Sequence, residues 1–322
     1  MLRVQSDRLL HADGERSWGM GHLETPTLAE LRERVRALQP GSERLKVSIV
    51  RGTVQELHAS PPHRHALFQA ASQFNLLEMV SQDVSPEDGV ARYEHDATQG
   101  PACAIAAGAG TIFRNYLADL PDGRGQSRQR QIDCLADLGM ALGNARGELW
   151  SMCNGYAMLR PGALEKIDAM LAGASALQID RWRDLLRIGL HWNVQVTLPD
   201  ANDEQYVSQA YCSALPVAYN RAYPEALWAR FATLVLEGTY EATLLGGALN
   251  FAQRGSPLAF LTSVGGGAFG NDAKWIATAI RRSFEVCSHL PLDVRIVAFR
   301  SLSPEVTAVV RGFEKTPNTA SE

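Results

Sequence analysis

The chain has 322 residues, of which 46% are hydrophobic and 20% charged, a composition typical of a globular protein with a large buried core. Its formal net charge is −4, with 31 Lys and Arg against 35 Asp and Glu. Proteins that bind by neutralising many phosphates are normally basic, so this charge argues against nucleic acid as a partner. The length fits one large domain or two small ones at about 150 residues per domain.

The chain contains no apolar run near the ~20 residues that cross a bilayer, and its N-terminus lacks the apolar core of a signal peptide. The five cysteines are scattered singly, without a Cys-x-x-Cys pair or a zinc spacing. This pattern favours free thiols in a reducing compartment. We therefore expect a cytoplasmic protein with no membrane contact, no required metal and no other cofactor.

The first clear element is a helix. Thr27 and Glu30 form a capping box, and apolar residues follow on one face until a Pro-Gly pair at residue 40. Residues 1–44 are therefore predicted to be a helical N-terminal extension.

Strands and helices then alternate along the chain. Strand-like runs lie at residues 45–49, 66–72, 149–153, 188–197, 207–219, 258–264 and 294–299, and helical patterns at 100–117, 160–185, 227–245 and 272–286. This alternation predicts an α/β fold whose sheet is covered on both faces. Residues 45–313 are predicted to form one domain with insertions, among them the polar loop 121–131, and the tail 314–322 to be disordered.

The strand at 258–264 runs into a glycine-rich turn, and an amphipathic helix begins near Asp272. Glycines let the backbone approach a phosphate closely, and the next helix adds the positive end of its dipole. The residues assigned to this ligand site are Ser263, Gly265, Gly266, Gly267, Ala268, Phe269, Gly270 and Asn271. The alternative is a tight connection without a ligand, although such a connection needs fewer glycines. The spacing fits neither dinucleotide-binding oxidoreductases nor P-loop NTPases.

This strand–turn–helix segment resembles the second ligand loop of macrodomains, which bind ADP-ribose, and its three consecutive glycines resemble the poly(ADP-ribose) glycohydrolase branch. LKVSIVRGTVQEL and ALFQAASQFN are similar to the family's opening strand and to its next strand, which ends in an Asn-bearing loop. The closing helix–strand–helix–strand order follows over residues 227–299. The resemblance implies a three-layer α/β/α sandwich with a mixed central sheet, ADP-ribose or an ADP-ribosylated protein as partner, and Asn75 in the binding loop.

The sequence departs from the family in its recognition residues. Gly52, Thr53 and Val54 stand where the family has Gly-Asp-Ile, so the carboxylate that reads the adenine amino group is missing. The glycine run after the family's Asn and the adjacent glutamate pair after the three glycines are also missing.

An acidic loop, residues 76–98, replaces that glycine run. Its acids are Glu78, Asp83, Glu87, Asp88, Glu94 and Asp96. Gln99 and Gly100 then begin a helix with proline in its first turn. The N–H groups at the start of this helix form a second candidate anion site. A carboxylate beside a phosphate site is what cleavage of a glycosidic bond to ribose requires.

The acidic loop resembles that of bacterial-effector macrodomains that remove ADP-ribose from arginine. The resemblance implies a hydrolase that removes ADP-ribose from a protein side chain. Its diphosphate would lie between residues 265–271 and the helix start near Gly100, with water oriented by Asp88 and Asp96 first, then by Asp83 and Glu78. A reader module that binds ADP-ribose without cleaving it is the alternative.

A role without function in the site remains the alternative for several residues. Each loop acid could be merely solvated, with Asp88 in a turn and Asp96 capping the next helix. Cys103 with His95 is a rival nucleophilic pair, although packing is the simpler role for a cysteine among small apolar residues. Asn220 either touches a ligand or ends its strand.

Overall fold

The computed structural model of the chain describes residues 2–38 and 44–315. The strands are β1 (Leu2–Gln5), β2 (Arg8–His11), β3 (Ser17–Gly19), β4 (His22–Glu24), β5 (Lys46–Arg51), β6 (Leu67–Ala71), β7 (Asp119–Leu120), β8 (Gly123–Arg124), β9 (Trp150–Cys153), β10 (Tyr156–Leu159), β11 (Gly189–Gln195), β12 (Tyr206–Cys212), β13 (Leu258–Leu261) and β14 (Asp293–Ala298). The helices are α1 (Leu28–Arg36), α2 (Val54–Ala59), α3 (Gln99–Ala106), α4 (Gly108–Ile112), α5 (Ala136–Leu142), α6 (Ala163–Gly173), α7 (Ala176–Asp184), α8 (Glu225–Arg254), α9 (Ala273–Val286) and α10 (Pro304–Lys315).

A seven-stranded mixed sheet forms the centre of the fold, in the order β4-β11-β12-β6-β13-β14-β5. Strands β12, β6, β13, β14 and β5 are parallel, whereas β11 is antiparallel to both of its neighbours. The carboxyl ends of the five parallel strands therefore meet at one edge of the sheet.

Alternating side chains place a hydrophobic core on each face of this sheet. Leu67 of β6 and Ala259 of β13 belong to the core that includes residues of α1, α8, α9 and α10. Their neighbours Phe68 and Phe260 point to the opposite core, which includes residues of α2 and α3. Because side chains alternate with period two, each strand supplies both cores. The predicted α/β fold, with a mixed sheet between helical layers, is confirmed.

The N-terminal extension is not simply helical. Its capping box is confirmed, since Thr27 and Glu30 bond reciprocally at the start of α1. Four strands precede that helix, however, and β4 pairs with β11 at the edge of the central sheet. Strands of three or four residues are too short to show a period-two pattern. The Pro-Gly pair at residue 40 lies outside the described residues.

Two other elements differ from their predicted extents, and a third lies outside the central sheet. Strand β12 ends at Cys212 rather than near residue 219, and Val217–Tyr219 form a 3₁₀ turn after Pro216, which has no N–H for a sheet. The helix predicted at 100–117 is interrupted at Ala107, whose backbone leaves helical geometry between α3 and α4. Strand β9 pairs with β10 in a separate hairpin.

The start of the predicted C-terminal tail is helical. Glu314 and Lys315, predicted as part of a disordered tail, belong to α10, and the rest of that tail lies outside the described residues. Over residues 2–38 and 44–315, no helix is long and apolar enough to cross a membrane.

Helix α3 starts almost in contact with the end of β6. A Cβ atom on Gly100 would lie 1.9 Å from the carbonyl oxygen of Ala71, far inside van der Waals contact. Only glycine lets the start of α3 come this close to the sheet.

We expect Gly100→Ala to lower the free energy of unfolding by about 1–3 kcal/mol, because the helix start must move off β6. Urea unfolding measures this change. Gly173→Ala is the matched control, since a Cβ at the end of α6 would meet nothing within 4 Å. Equal stability of the two variants would show that the contact between α3 and β6 is not tight.

Candidate functional site

A cleft of about 530 Å³ opens at the carboxyl ends of β6, β12 and β13. Ligands of open α/β sheets bind at this edge, where loops diverge from adjacent strands. The lining residues are Ala71, Ser72, Gln73, Glu78, Met79, Val80, His95, Asp96, Ala97, Thr98, Gln99, Gly100, Pro101, Tyr156, Ala214, Tyr219, Thr262, Ser263, Val264, Gly265, Gly267, Ala268 and Phe269. Both predicted ligand segments therefore meet in one cleft.

The glycine loop, residues 265–271, is held in shape by its own hydrogen bonds. The N–H of Asn271 donates to the carbonyl of Gly265 at 2.9 Å, and the N–H of Gly270 to that of Gly267 at 3.0 Å. The Asn271 amide also donates to the carbonyl of Leu215 at 2.9 Å, which fastens the loop to the segment after β12. Asn271 and Gly270 therefore shape the loop from outside the cleft, as does Gly266.

The middle of the glycine loop presents free donors to the cleft. Within the described chain, the backbone N–H groups of Gly267, Ala268 and Phe269 donate to no protein acceptor. All three residues line the cleft, and a Cβ on Gly267 would meet nothing within 4 Å. Successive free N–H groups at a turn form a concave site for an anion.

The start of α3 faces the same cleft. The first N–H groups of a helix have no partner within it, and the side chain of Thr98 makes no capping bond here. Gln99 and Gly100 line the cleft. These N–H groups and the helix dipole make a second anion site.

Three aromatic rings form one wall of the cleft. The ring centroid of Tyr156 lies 5.0 Å from that of Tyr219 and 5.2 Å from that of Phe269. The Tyr156 hydroxyl donates to the carbonyl of Met79 at 2.8 Å, which ties the β9–β10 hairpin to the acidic loop. The wall can pack against a sugar or base.

Two carboxyl groups of the acidic loop reach the cleft, Glu78 and Asp96. Asp96 is half-buried, and one of its oxygens accepts the N–H of Thr98 at 2.9 Å just before α3. Asp96 therefore closes a short turn before the helix and does not cap α3, whose N-cap is Thr98, and its carboxylate lies beside the second anion site.

Glu78 is buried on the floor of the cleft in a pair with Arg114. The guanidinium donates to Glu78 at 3.1 Å and to the carbonyl of Leu76 at 2.8 Å, and it lies 3.6 Å above the ring of Tyr211. Burial raises the pKa of Glu78 to about 7, although Arg114 and Tyr93 act in the opposite direction. The carboxyl is therefore partly protonated near neutral pH.

The structure does not bring the other two predicted acids to the cleft. Asp88 accepts hydrogen bonds from the N–H and the hydroxyl of Ser85, which lower its pKa and close a short turn. Asp83 lines a separate cavity with Arg128 and Met152.

Asn75 and Asn220 hold loops rather than line the cleft. The oxygen of Asn75 accepts the N–H of Leu77 at 3.1 Å, and its amide donates to Gln131 at 2.9 Å. The oxygen of Asn220 accepts the N–H of Leu159 at 2.8 Å, which fastens β10 to the segment after β12. Both side chains are buried.

The rival nucleophilic pair is not assembled. Cys103 is fully buried, and burial raises the pKa of its thiol, whose sulfur accepts from the amide of Gln99 at 3.2 Å. His95 is exposed and contacts Glu94 at 3.4 Å. Among the described residues, no group of three or more His, Cys, Asp and Glu is arranged to hold a metal ion. All five cysteines are free thiols.

Several cleft or edge residues escaped the sequence prediction. Tyr156 belongs to an inserted hairpin, and nothing in its local sequence indicates contact with the sheet edge. Phe299 is 64% exposed just after β14. It follows β14, which lies between β13 and β5 in the sheet, so Phe299 stands at the same edge as the cleft. The aromatic residue at the end of the predicted strand 294–299 was the available signal.

No protein-family model matches the sequence, and no curated protein matches it. Among solved structures, the chain is similar to poly(ADP-ribose) glycohydrolase from Deinococcus radiodurans in complex with ADP-ribose, with 14% identity, 90% of this chain and 93% of that chain covered, and a TM-score of 0.47. It is similar to the enzyme of the same name from Thermomonospora curvata bound to the inhibitor ADP-HPD, with 13% identity, 95% and 93% coverage, and a TM-score of 0.43. These similarities are distant, so the function has to be inferred from the chain's own residues.

The raised pKa of Glu78 makes stability depend on pH. Between about pH 4.5 and about pH 7 the folded protein keeps a proton on Glu78 that the unfolded chain has lost. The contribution of this group to the free energy of unfolding therefore falls as pH rises through that window. We expect the unfolding free energy of the wild type minus that of Glu78→Gln to decrease over the same window and then level off. Urea unfolding at several pH values measures it, and a difference that rises with pH would contradict the assignment.

Proposed function

We propose that the cleft binds ADP-ribose and that the protein is a hydrolase that releases ADP-ribose from a modified protein side chain. The observation that carries this proposal is the convergence of two separate anion sites on one cleft, with the carboxylate of Asp96 beside one of them. A ligand with two phosphates and a ribose that reacts next to them matches this arrangement.

The diphosphate would be held mainly by backbone donors. One phosphate accepts from the N–H groups of Gly267, Ala268 and Phe269, and the other lies at the start of α3, near Gly100. Backbone N–H groups need no positive side chain to bind a phosphate, and among the described residues no Lys or Arg lines the cleft.

The distal ribose would lie against Tyr156 and Tyr219, close to the acidic loop. In hydrolysis, water attacks C1″ and passes a proton to the carboxylate of Asp96, while the bond from C1″ to the side chain breaks as positive charge develops on the sugar. The departing side-chain atom keeps the bonding electron pair and takes up a proton from Asp96 or from water. Glu78, held on the cleft floor by Arg114, grips a ribose hydroxyl. Asp96 is thus the candidate base and Glu78 a candidate ribose contact.

Adenine recognition needs a residue other than the missing aspartate. Thr53 caps α2 by accepting the N–H of Glu56, and it follows β5, two strands away from β13. Phe299 lies between them at the same edge and is exposed, so we assign it the stacking surface for the base.

Arginine is the first acceptor to test. The resemblance of the acidic loop to arginine-specific hydrolases implies it, and the carboxylate of Asp96 in the cleft lining favours a cationic side chain. Proteins with ADP-ribose linked to aspartate or glutamate are the substrates to test beside it.

One observation favours the reader alternative. The carboxylate of Asp96 already accepts the N–H of Thr98, so part of its hydrogen-bonding capacity serves the protein. A reader would bind ADP-ribose and release none from any modified protein, so binding and turnover must be measured separately.

Gly267→Val should weaken ADP-ribose binding about tenfold or more, because the added side chain fills the space where the diphosphate meets the backbone. The fold should be kept, since a Cβ there meets no atom within 4 Å. Isothermal titration calorimetry measures the affinity and thermal unfolding checks the fold, with Gly173→Val as control. Gly270 is a poorer test because its φ is +69° and its Cβ would lie 3.0 Å from Ala218. Undiminished affinity in Gly267→Val would remove the glycine loop from the site.

Asp96→Asn should lower hydrolysis of mono-ADP-ribosylated protein about 100-fold or more, the usual scale for a lost acid–base group. The asparagine oxygen still accepts the N–H of Thr98, so ADP-ribose affinity should change little. Asp83→Asn is the matched control, because Asp83 lies outside the cleft and should leave turnover unchanged. Full turnover in Asp96→Asn would refute the role of Asp96, and tight binding without any wild-type turnover would identify a reader.

A further inference from the structure

Two buried or half-buried glutamine side chains connect the segments that form the cleft. Gln69 of β6 is 1% exposed, and its amide donates to the hydroxyl of Thr243 in α8 at 2.9 Å. Its side-chain oxygen accepts the N–H of Thr262 at 3.1 Å, where the chain leaves β13 for the glycine loop. Gln69 thus fastens the exit of β13 to the centre of the sheet.

Gln99, the first residue of α3, fastens the other segment to the same strand. Its side-chain oxygen accepts the N–H of Ala71 at 2.8 Å, and its amide donates to the carbonyl of Gln69 at 2.8 Å. The side chain bonds to the edge of β6 as the backbone of a neighbouring strand would. Each half of the amide has its partner, which sets its orientation.

These bonds replace sheet pairing that ends where the cleft opens. Strands β6 and β13 pair only at two positions, of which Phe68 with Phe260 is the last. The N–H of Ser72 bonds to Cys212 of β12, so by period two the N–H of Ala71 and the carbonyl of Gln69 face the side that β13 has left. Unpaired buried backbone groups are costly, and the glutamine side chains satisfy them.

We propose that Gln69 and Gln99 are positioning residues that set the distance between the two anion sites. Gln69 holds the exit toward the glycine loop, Gln99 holds the start of α3, and the Gln99 amide donates to the backbone carbonyl of Gln69 itself. The inference rests on the proposed function, in which the two sites bind the two phosphates of one ligand. A ligand that engages both sites gains affinity only while their spacing matches its own.

The test compares a diphosphate with a monophosphate that differs by one phosphate group. Calorimetry gives the affinities of ADP and AMP for the wild type, Gln69→Met and Gln99→Met. We expect the advantage of ADP over AMP to fall about tenfold in both variants, while AMP affinity stays within about twofold, because AMP engages one site only. A purely structural loss would lower both affinities together.

Gln205→Met is the matched control. Gln205 is also fully buried and donates to two backbone carbonyls, those of His58 and Ser60, just before β12 at the opposite end of that strand from the cleft. The Gln205→Met variant should be less stable than the wild type, with an unchanged ratio of ADP to AMP affinity. If Gln69→Met does not fold, Thr243→Val serves in its place, since it removes the hydroxyl that accepts from the Gln69 amide, together with the bonds of that hydroxyl to Thr239 and Cys212, and leaves Gln69 itself intact.

The outcomes separate the two proposals. If the wild type binds neither ADP-ribose nor ADP, the proposed function fails and this inference fails with it. If the wild type binds ADP-ribose but the glutamine variants, or Thr243→Val, keep the full advantage of ADP over AMP, only the positioning role is overturned.

Discussion

The separation of β6 from β13 at their carboxyl ends is the constraint on which the site depends. Parallel strands that diverge leave N–H and carbonyl groups without ladder partners, and these must be satisfied or must face solvent or ligand. The chain satisfies those of β6 with the side chain of Gln99 and places the free donors of the glycine loop at the cleft surface. The same divergence therefore creates both the cavity and its capacity to bind an anion.

Close approach of backbones is the second requirement. Gly100 lets α3 begin against the carbonyl of Ala71, and Gly265, with φ of +76°, lets the glycine loop turn where a Cβ would lie 2.4 Å from Ala214. Two glycines at separate points of the chain thus bring two sets of donors to one cleft. Side chains at these positions would push the segments apart.

Carboxylates close to an anion site would repel a bound anion if all of them were charged. The structure limits this repulsion: Glu78 is paired with Arg114 and its pKa is raised by burial, while Asp83 and Asp88 lie outside the cleft. Asp96 is the loop aspartate that lines it. The arrangement leaves one loop aspartate at the cleft, as the proposed base, without surrounding the two anion sites with negative charge.

Local patterns in the sequence determined the α/β alternation, the capping box at Thr27 and the glycine turn before Asp272, because such features depend on neighbours in the chain. Tertiary structure decided which acids reach the cleft: Asp88 turns back to Ser85, whereas Asp96 faces inward. It also brought Tyr156 to the wall from an inserted hairpin. The direction of a loop side chain is set by long-range packing and hydrogen bonds, and these partners are distant in sequence.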